Sequence, residues 1–391
     1  MEEIVTIVDR NSAAPQHVLD RARELAPKIS GRAAEIESAR RVPRDLLDEL
    51  IGAGCFRVLM PRSHGGIGAD VPSGMRVFEA LAEADASVAW TVVIGANAWL
   101  DVAGLPRASF DALFAATPDV IIAGAINPSG SIAAVDGGYR VSGRWGFASG
   151  CEHATWLCGN CVEGMVDGVP QLRMAVFSPD EVVIEDTWKA SGLCGTGSHH
   201  FHVADVVVPA ERTLRPLVDE PCLDEPIVRI PPPPLYALAI ASVAIGIAQG
   251  ALDDIVALAT SKVPLLAGAP LAANPLFQFE LATADTELRA ARALLYDTAE
   301  SVWATAADGQ PFTLEQRARA RAAAVWATTR AAAVVDTAYR SGGGSSVYVD
   351  SPLQRRLRDI HAVTQHFLVK RDTLTTAGAI LAGQDVTVML F

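Results

Sequence analysis

The sequence predicts a mainly α-helical protein with a central β domain, because the spacing of apolar residues changes twice along the chain. Helical spacing comes first, short β-rich runs follow, and helical spacing returns after the four prolines at 231–234. The 391 residues therefore divide into an N-terminal helical domain at 1–119, a middle β domain at 120–228 and a C-terminal helical domain at 229–391.

Composition and charge narrow the class of protein. Hydrophobic residues make up 50% of the chain and charged residues 20%, which predicts a globular protein with a buried core. The net charge of −13 argues against nucleic acid as a partner, because phosphate binding needs clustered Lys and Arg. The first ten residues have neither the basic nor the apolar segment of a secretory signal, so we expect a cytoplasmic protein.

Local patterns predict the elements of the first two regions. A proline start and a glycine end mark the first well-defined helix, and short runs of β-forming residues are separated by Gly, Pro and Asp further on. The sequence V-D-G-G-Y-R-V-S at 135–142 predicts two strands joined by a turn. Helices are predicted at 43–54, 72–84, 85–100 and 106–116, and strands at 121–126, 138–142, 153–161, 172–177, 182–185 and 201–208.

Two patterns in the β region have the residue types of a metal site. Cys158 and Cys161 form a lone C-x-x-C pair, and His200 and His202 face the same way on a strand beside His199. A zinc site needs further ligands, and neither a second cysteine pair nor a third ligand occurs at clear spacing. We therefore expect reduced cysteines in a packed strand and no metal, and the role of the histidine cluster stays open.

Four long helical segments with short connections predict a four-helix bundle at the C-terminal end. The uncharged run at 230–252 is long enough to raise the question of a membrane span. It begins with prolines and is rich in Ala, Ser and Gly, so we expect a buried bundle helix and no membrane partner. The four helices are predicted at 235–261, 275–307, 313–339 and 352–382.

The end of the chain carries a motif that indicates a family. Three glycines at 342–344 precede S-P-L-Q-R-x-x-R-D at 351–359, and His366 follows seven residues later. This segment resembles the closing segment of flavin monooxygenases built on the acyl-CoA dehydrogenase fold. These are the oxygenase halves of two-component systems, such as p-hydroxyphenylacetate hydroxylase and dibenzothiophene monooxygenase. The resemblance covers essentially the whole chain and implies that the middle domain is a small β-barrel.

Two segments of the β domain resemble the flavin-binding parts of that family, namely a loop with N-P-S-G-S at 127–131 and a strand with G-R-W-G-F-A-S-G at 143–150. A flavin ring needs flat apolar packing and hydrogen bonds at N5 and O4. The resemblance implies that Ser149 holds N5 and that aromatic residues form the walls, whereas the alternative is an ordinary strand with an aromatic core face. The expected cofactor-binding residues are Asn127, Ser129, Trp145, Phe147, Ala148, Ser149 and Gly343.

His366 is the expected catalytic residue of the last helix, where it shares a face with Asp359, and Ser149 is the second catalytic candidate. Acyl-CoA dehydrogenases carry a glutamate base in this region, but this chain has Gln365-His366-Phe367. A histidine acts as acid or base because its pKa lies near neutral pH, whereas the alternative is a bundle histidine bonded to a neighbour. Trp90 and Asn97, in a helix where some phenol-hydroxylating members carry a histidine, complete the expected substrate pocket.

No nicotinamide-binding fingerprint occurs in the sequence, so a separate NAD(P)H:flavin reductase is the expected partner. The resemblance implies a homotetrameric monooxygenase that uses reduced FMN or FAD and O₂. Oxygen then passes through a flavin C4a-hydroperoxide to an aromatic or polycyclic small molecule. The alternatives are an N- or S-oxygenase of the same family, an acyl-CoA dehydrogenase-type FAD enzyme and, last, a non-catalytic protein of the same fold.

Overall fold

Residues 15–386 are described by the computed structural model, and their helix–sheet–helix order confirms the predicted fold class. The first ten residues, on which the prediction of no secretory signal depends, lie outside the described residues, as do the outer ends of the first and third predicted domains. The helices are α1 Pro15–Gly31, α2 Ala33–Ala39, α3 Arg44–Gly52, α4 Val71–Ala84, α5 Ala86–Asn97, α6 Arg107–Phe114, α7 Pro232–Ser261, α8 Pro275–Ala307, α9 Leu314–Gly342, α10 Pro352–Val363 and α11 Thr373–Leu381. The strands are β1 Ile122–Val135, β2 Gly138–Ala148, β3 Trp156–Val166, β4 Val169–Phe177, β5 Val183–Glu185, β6 His199–Pro209 and β7 Thr213–Leu214.

An aspartate cap fixes the start of α5, the helix that carries two of the pocket candidates. Asp85 accepts hydrogen bonds from Ser87 N and Val88 N, which satisfies two of the free N–H groups of the first turn. The rest of α5 is mostly apolar and almost entirely buried. A helix buried on all sides places its few polar side chains inside the protein, and those groups need partners there.

The seven strands form one sheet in the order β5-β6-β2-β1-β3-β4-β7. β1 and β3 are parallel, the other pairs are antiparallel, and β1 and β2 are joined by the predicted turn. The rings of Phe177 on β4 and Phe201 on β6 lie 6.5 Å apart, although three strands separate β4 from β6 in the sheet. The sheet therefore curls around its own apolar core, as the barrel prediction requires.

Two of the register shifts in the sheet fall in the segments predicted to bind flavin. The segment 127–131, predicted to be a loop, belongs to β1, but the pairing of β1 with β3 shifts between Ala125 and Gly130. The pairing of β2 with β6 shifts between Trp145 and Ala148, and Phe147 within that stretch has a φ of +63°. Such bulges redirect side chains. Here the second bulge turns Phe147 away from the barrel core.

The helices before and after the sheet share a single apolar core, in which α4 packs against α7. By length and composition α7 is the one helix within residues 15–386 that could cross a membrane, yet 89% of its most apolar window is buried inside the protein. The packing is close, because a Cβ at Gly246 of α7 would lie 2.3 Å from the backbone O of Glu79 on α4. The two helical regions are therefore packed as one body in space. The division into three domains, which follows the sequence, stays a proposal.

The prediction of one helix at 352–382 is wrong. This stretch forms α10 and α11, which are joined by turns. Arg321 on α9 donates to the backbone O of Leu368 at 3.1 Å, so this carbonyl is bonded across the bundle instead of along a helix. His366 therefore lies beyond the end of α10, and it does not share a helix face with Asp359.

Candidate active site

Ser149, Trp90 and His366 come together from three parts of the chain. Ser149 directly follows β2, Trp90 lies on α5, and His366 follows α10. The indole Nε1 of Trp90 donates to Ser149 Oγ at 3.1 Å, and the His366 ring packs edge-on against the indole with ring centroids 5.4 Å apart. Three predicted site residues therefore form one contiguous group where the sheet, α5 and the end of the bundle meet.

Ser149 also contacts the hydroxyl of Ser198, which in turn contacts that of Thr196, and the sequence did not single out either residue. Its Oγ lies 2.7 Å from Ser198 Oγ, and Ser198 Oγ lies 2.7 Å from Thr196 Oγ1. Thr196 Oγ1 donates to the backbone O of Leu193 at 2.8 Å. The motif G-T-x-S at 195–198 resembles the strand that leaves the family's β domain, but nothing in the sequence indicates that it reaches Ser149.

The environment of His366 differs from that of an exposed histidine. Burial, together with the positive charge of Arg321, lowers the pKa of His366 to about 4. Its Nδ1 accepts a long hydrogen bond from Leu368 N at 3.4 Å, which assigns the ring proton of the neutral tautomer to Nε2. At neutral pH the side chain is an uncharged N–H donor. The pKa of His366 therefore lies below the near-neutral value expected from the sequence, and its catalytic role stays a prediction.

The two aromatic residues predicted as flavin walls lie on different sides of the sheet. Phe147 is 73% exposed and adopts a left-handed backbone conformation, which costs a non-glycine residue about 1 kcal/mol and is typical of functional sites. Trp188 and His200 lie beside it, with ring centroids 6.2 and 6.4 Å from that of Phe147. Trp145 is fully buried in the barrel core, where it stacks on Phe201. Phe147 is therefore open to a flavin, whereas the buried side chain of Trp145 does not fit the predicted wall.

Three more predicted cofactor residues lie close to Phe147 along the sheet. Asn127 Nδ2 donates to Ser129 Oγ at 2.7 Å within the β1 bulge. The antiparallel ladder of β1 and β2 ends at the pair Gly130–Gly143, so this bulge lies just beyond the ladder, at the end from which residues 144–147 continue. Ala148 is buried in the barrel core, so only its backbone is available to a ligand.

Two predicted residues lie farther from the group. Gly343 precedes α10 and His366 follows it, so the whole of α10, about 18 Å long, lies between them in the chain. Asn97 lies two turns along α5 from Trp90 on the same face, about 10 Å away. Its Nδ2 donates to Val93 O at 2.8 Å, whereas its buried Oδ1 has no hydrogen-bond partner among residues 15–386.

Protein contacts account for most of the cysteine and histidine patterns. Cys158 and Cys161 are free thiols buried on β3, and burial raises the pKa of both. His199 Nδ1 accepts two backbone N–H groups, and His202 Nδ1 lies 2.9 Å from Glu185 Oε1. In the part of the chain that the structure describes, no three His, Cys, Asp or Glu side chains are grouped as for a metal ion.

The residues at this junction fit a flavin. The ring system needs a flat apolar surface against one face and hydrogen-bonding groups at N5 and O4. Phe147 offers an exposed ring, and Ser149, two residues further on, offers a hydroxyl beside the edge-to-face pair of Trp90 and His366. The side chain that lies against Trp90 in this group is the imidazole of His366, and not a carboxylate such as the glutamate base of acyl-CoA dehydrogenases.

Family models match the two helical regions, and relatives match nearly the whole chain. The model described as acyl-CoA dehydrogenase, N-terminal domain, matches residues 13–103, and the model described as acyl-CoA dehydrogenase, C-terminal domain, matches residues 238–371. The chain is 31% identical over 368 residues to the indole-3-acetate monooxygenase of Pseudomonas putida, which covers 94% of this chain and 93% of that protein. It is 30% identical over 382 residues to the oxygenase component of the FADH(2)-dependent resorcinol hydroxylase of Rhizobium sp. strain MTP-10005, with 92% of each covered.

A solved structure shows the same similarity. The crystal structure of 3-HSA hydroxylase from Rhodococcus sp. RHA1 matches with a TM-score of 0.88 at 28% identity, and the match covers 96% of this chain and 99% of that chain. The predicted fold, reduced-flavin cofactor and enzyme class are confirmed by these similarities. The chain belongs to the acyl-CoA dehydrogenase family and, within it, to the flavin-dependent monooxygenases that act as the oxygenase component beside a separate reductase.

Proposed function

We propose that this oxygenase hydroxylates an aromatic or polycyclic small molecule beside Ser149, Trp90 and His366. The observation that carries the proposal is the packing of His366 on Trp90, whose indole is bonded to Ser149. Two similar proteins act, by their names, on indole-3-acetate and on resorcinol, which are both aromatic. A site built from indole and imidazole rings suits such a substrate, because aromatic rings pack edge-to-face or offset.

The side chains of this group have separate roles in the proposed reaction. Reduced FMN or FAD, when bound, supplies the electrons that activate O₂. Ser149 would hold the flavin at N5, and Phe147 would pack against the ring. His366 would donate its neutral Nε2–H to the oxygen that is transferred or to the substrate atom that receives it. The buried indole and the half-buried imidazole limit access of water, which limits the loss of activated oxygen as H₂O₂.

The neighbouring predicted residues complete this proposed site. Asn127 and Ser129 line one edge of the flavin from the β1 bulge, and Ala148 contributes backbone groups. Asn97 forms the far end of the substrate pocket. Its buried Oδ1, without a partner among the described residues, supports this role because buried polar atoms are normally hydrogen-bonded and a substrate hydroxyl can satisfy it.

We also propose that the protein is a homotetramer. An exposed apolar surface at one end of the bundle supports this proposal. The loop after α7 reaches the turn before α10 there, and Lys262 Nζ donates to the backbone O of Gly342. In this surface Leu265 is 92% exposed, Leu266 99% and Tyr348 73%. Large apolar side chains left this exposed are typical of protein interfaces. Gly343 lies within the same surface, and its contact with the flavin stays a proposal.

The proposed cell compartment is the cytoplasm, where an NAD(P)H:flavin reductase delivers the reduced flavin. The acidic charge of the chain supports the absence of a nucleic-acid partner. The burial of α7 supports the absence of a membrane partner.

A substrate panel tests the proposed reaction. Purified protein receives photoreduced FMN or FAD, O₂ and one compound at a time: indole-3-acetate, resorcinol, dibenzothiophene or an amino sugar. We expect hydroxylated product from an aromatic compound, in an amount close to the flavin consumed and with little H₂O₂. An S-oxide or N-oxide as the main product would overturn the proposed aromatic substrate. Bleaching of oxidised FAD by a fatty acyl-CoA would contradict the proposed oxygenase reaction.

A further inference from the structure

We infer that Ser198 and Thr196 are positioning residues that fix the direction of the Ser149 hydroxyl, so that Ser149 can only accept a hydrogen bond from the flavin. This inference rests on the proposed contact between Ser149 and flavin N5. Its consequence is that the site distinguishes the reduced flavin, which carries a proton on N5, from the oxidised flavin, which carries a lone pair there.

The three hydroxyls form an unbranched buried chain. Ser149 Oγ and Ser198 Oγ are 2.7 Å apart, and so are Ser198 Oγ and Thr196 Oγ1. The chain ends at the backbone O of Leu193, 2.8 Å from Thr196 Oγ1. Ser149 is 9% exposed, Ser198 3% and Thr196 2%, so protein groups are the main partners of these hydroxyls.

Counting protons fixes the direction of every bond. A carbonyl oxygen accepts and never donates, so Thr196 uses its only proton on Leu193 O. Thr196 Oγ1 therefore accepts from Ser198, which spends the only proton of Ser198. Ser198 Oγ in turn accepts from Ser149. Each of the three short contacts needs one proton, and the three hydroxyls supply three.

Trp90 completes the assignment at the other end of the chain. An indole N–H only donates, so the bond of 3.1 Å from Trp90 Nε1 occupies one lone pair of Ser149 Oγ. The Ser149 proton is already used on Ser198. One lone pair of Ser149 is left for a ligand, and it attracts an N–H and repels another lone pair.

The series of hydrogen bonds from Ser149 through Ser198 to Thr196 forms a hydroxyl relay. The loop that carries Ser198 and Thr196 is held from two sides, which preserves the direction of these hydrogen bonds. Leu193 N donates to the buried carboxyl of Asp359 at 2.7 Å, and Gly195 N donates to Ser87 Oγ at 3.1 Å. The backbone O of Thr196 also accepts from Gly150 N at 2.8 Å, next to Ser149. The Leu193 carbonyl therefore stays in place as the fixed acceptor at the end of the relay.

Anaerobic binding measurements test the relay without turnover. Dissociation constants of oxidised and photoreduced FMN, and of both states of FAD, are measured for the wild type, Ser198→Ala and Thr196→Val. Either substitution frees the Ser149 proton to donate to oxidised N5. We expect oxidised flavin to bind more tightly and the preference for reduced flavin to fall about 3- to 10-fold, as for one hydrogen bond. Thr196→Ser keeps the hydroxyl and should keep the wild-type preference.

The outcomes separate this inference from the proposed flavin site. General damage to the fold would weaken both flavin states together, so tighter binding of the oxidised state is specific to the relay. A wild-type protein that binds both states equally, or two variants that keep the wild-type preference, would overturn the relay. A wild-type protein that binds neither state would overturn the proposed flavin site itself.

Discussion

His366 lies where an uncharged donor can control the fate of the activated oxygen. We expect His366→Ala to lower the yield of hydroxylated product per reduced flavin about 10- to 100-fold and to raise H₂O₂ correspondingly, because one donor to the reacting oxygen is lost. His366→Gln is the matched control, since its Nε2–H can occupy a similar position, and it should keep part of the coupling. Because the pKa of His366 is about 4, the loss should be the same from pH 6 to pH 8. Coupling of His366→Ala equal to that of the wild type would refute the role.

Asp359 makes the stability of the protein depend on pH. Its carboxyl is buried, and burial together with the charge of Asp85 raises the pKa of Asp359 to about 7. In the unfolded chain an aspartate has a pKa of about 3.9. Between these values the native state holds a proton that the unfolded state has released, so stability decreases as the pH rises through this window.

Asp359→Asn removes this dependence and keeps an oxygen that can accept from Leu193 N. We expect the free energy of unfolding of the wild type to fall relative to the variant between pH 4 and pH 7, on the order of 3 kcal/mol. Urea unfolding at several pH values measures this difference. Asp297→Asn, on the exposed face of α8, is the control. If the difference in stability between the wild type and Asp359→Asn does not change with pH, the explanation is wrong.

Single residues were predictable where the family motif and the local pattern agree. Trp90, Ser149 and His366 were predicted from such positions, and the structure brings them together. Trp145 was misplaced because the bulge at Phe147 changes which side chains face inward, and strand alternation alone does not reveal a bulge. Ser198 was missed because its contact with Ser149 spans 49 residues of the chain.

The turn between α10 and α11 places His366, and Arg321 on α9 holds that turn. We expect Arg321→Met to lower the free energy of unfolding by about 1–3 kcal/mol, because the buried carbonyl of Leu368 loses a donor. It should also raise the pKa of His366, since the charge of Arg321 is one cause of the lowered value. Urea unfolding and an NMR titration of the imidazole measure the two effects.

Arg319→Met is the control for that experiment, because Arg319 lies on the same helix in an exposed ion pair with Glu315. It should leave both quantities nearly unchanged. If Arg321→Met leaves the His366 pKa at its wild-type value, the electrostatic link between α9 and the site is absent.

Helices and strands were predicted well where local signals decide them. The start of a helix at Asp85, the turn between β1 and β2 and the prolines at the start of α7 were all predicted from the sequence. The break after Val363 is not, because no proline or glycine occurs between Val363 and Asp372. It depends on a hydrogen bond from a different helix, and such tertiary contacts override local propensity.

The two helical regions share one apolar core, although the sequence predicts them as separate domains. Changes of hydrophobic period predict where helices give way to strands. They do not show that α4 packs directly on α7, although the β domain lies between these helices in the sequence. The apolar composition of α7 likewise has two explanations in the sequence, a membrane span or a core helix. Its burial against α4, α5 and α9 supports the second.

The proposed tetramer predicts that a charge at the exposed end of the bundle disturbs assembly. Leu266→Glu should lower the molar mass measured by light scattering, because a buried unpaired carboxylate opposes association. Met165→Glu, at a comparably apolar position on the outer end of β3, is the matched control and should leave the mass unchanged. A tetramer with full mass in Leu266→Glu, or a monomeric wild type, contradicts the proposed interface.

The most direct measurement is a crystal structure of the wild type with reduced FMN bound under anaerobic conditions. We predict flavin N5 within hydrogen-bonding distance of Ser149 Oγ, the ring against Phe147, and the His366 imidazole directed into the cavity that the substrate enters. A flavin bound elsewhere, or a His366 ring turned out to solvent in the complex, would contradict the account.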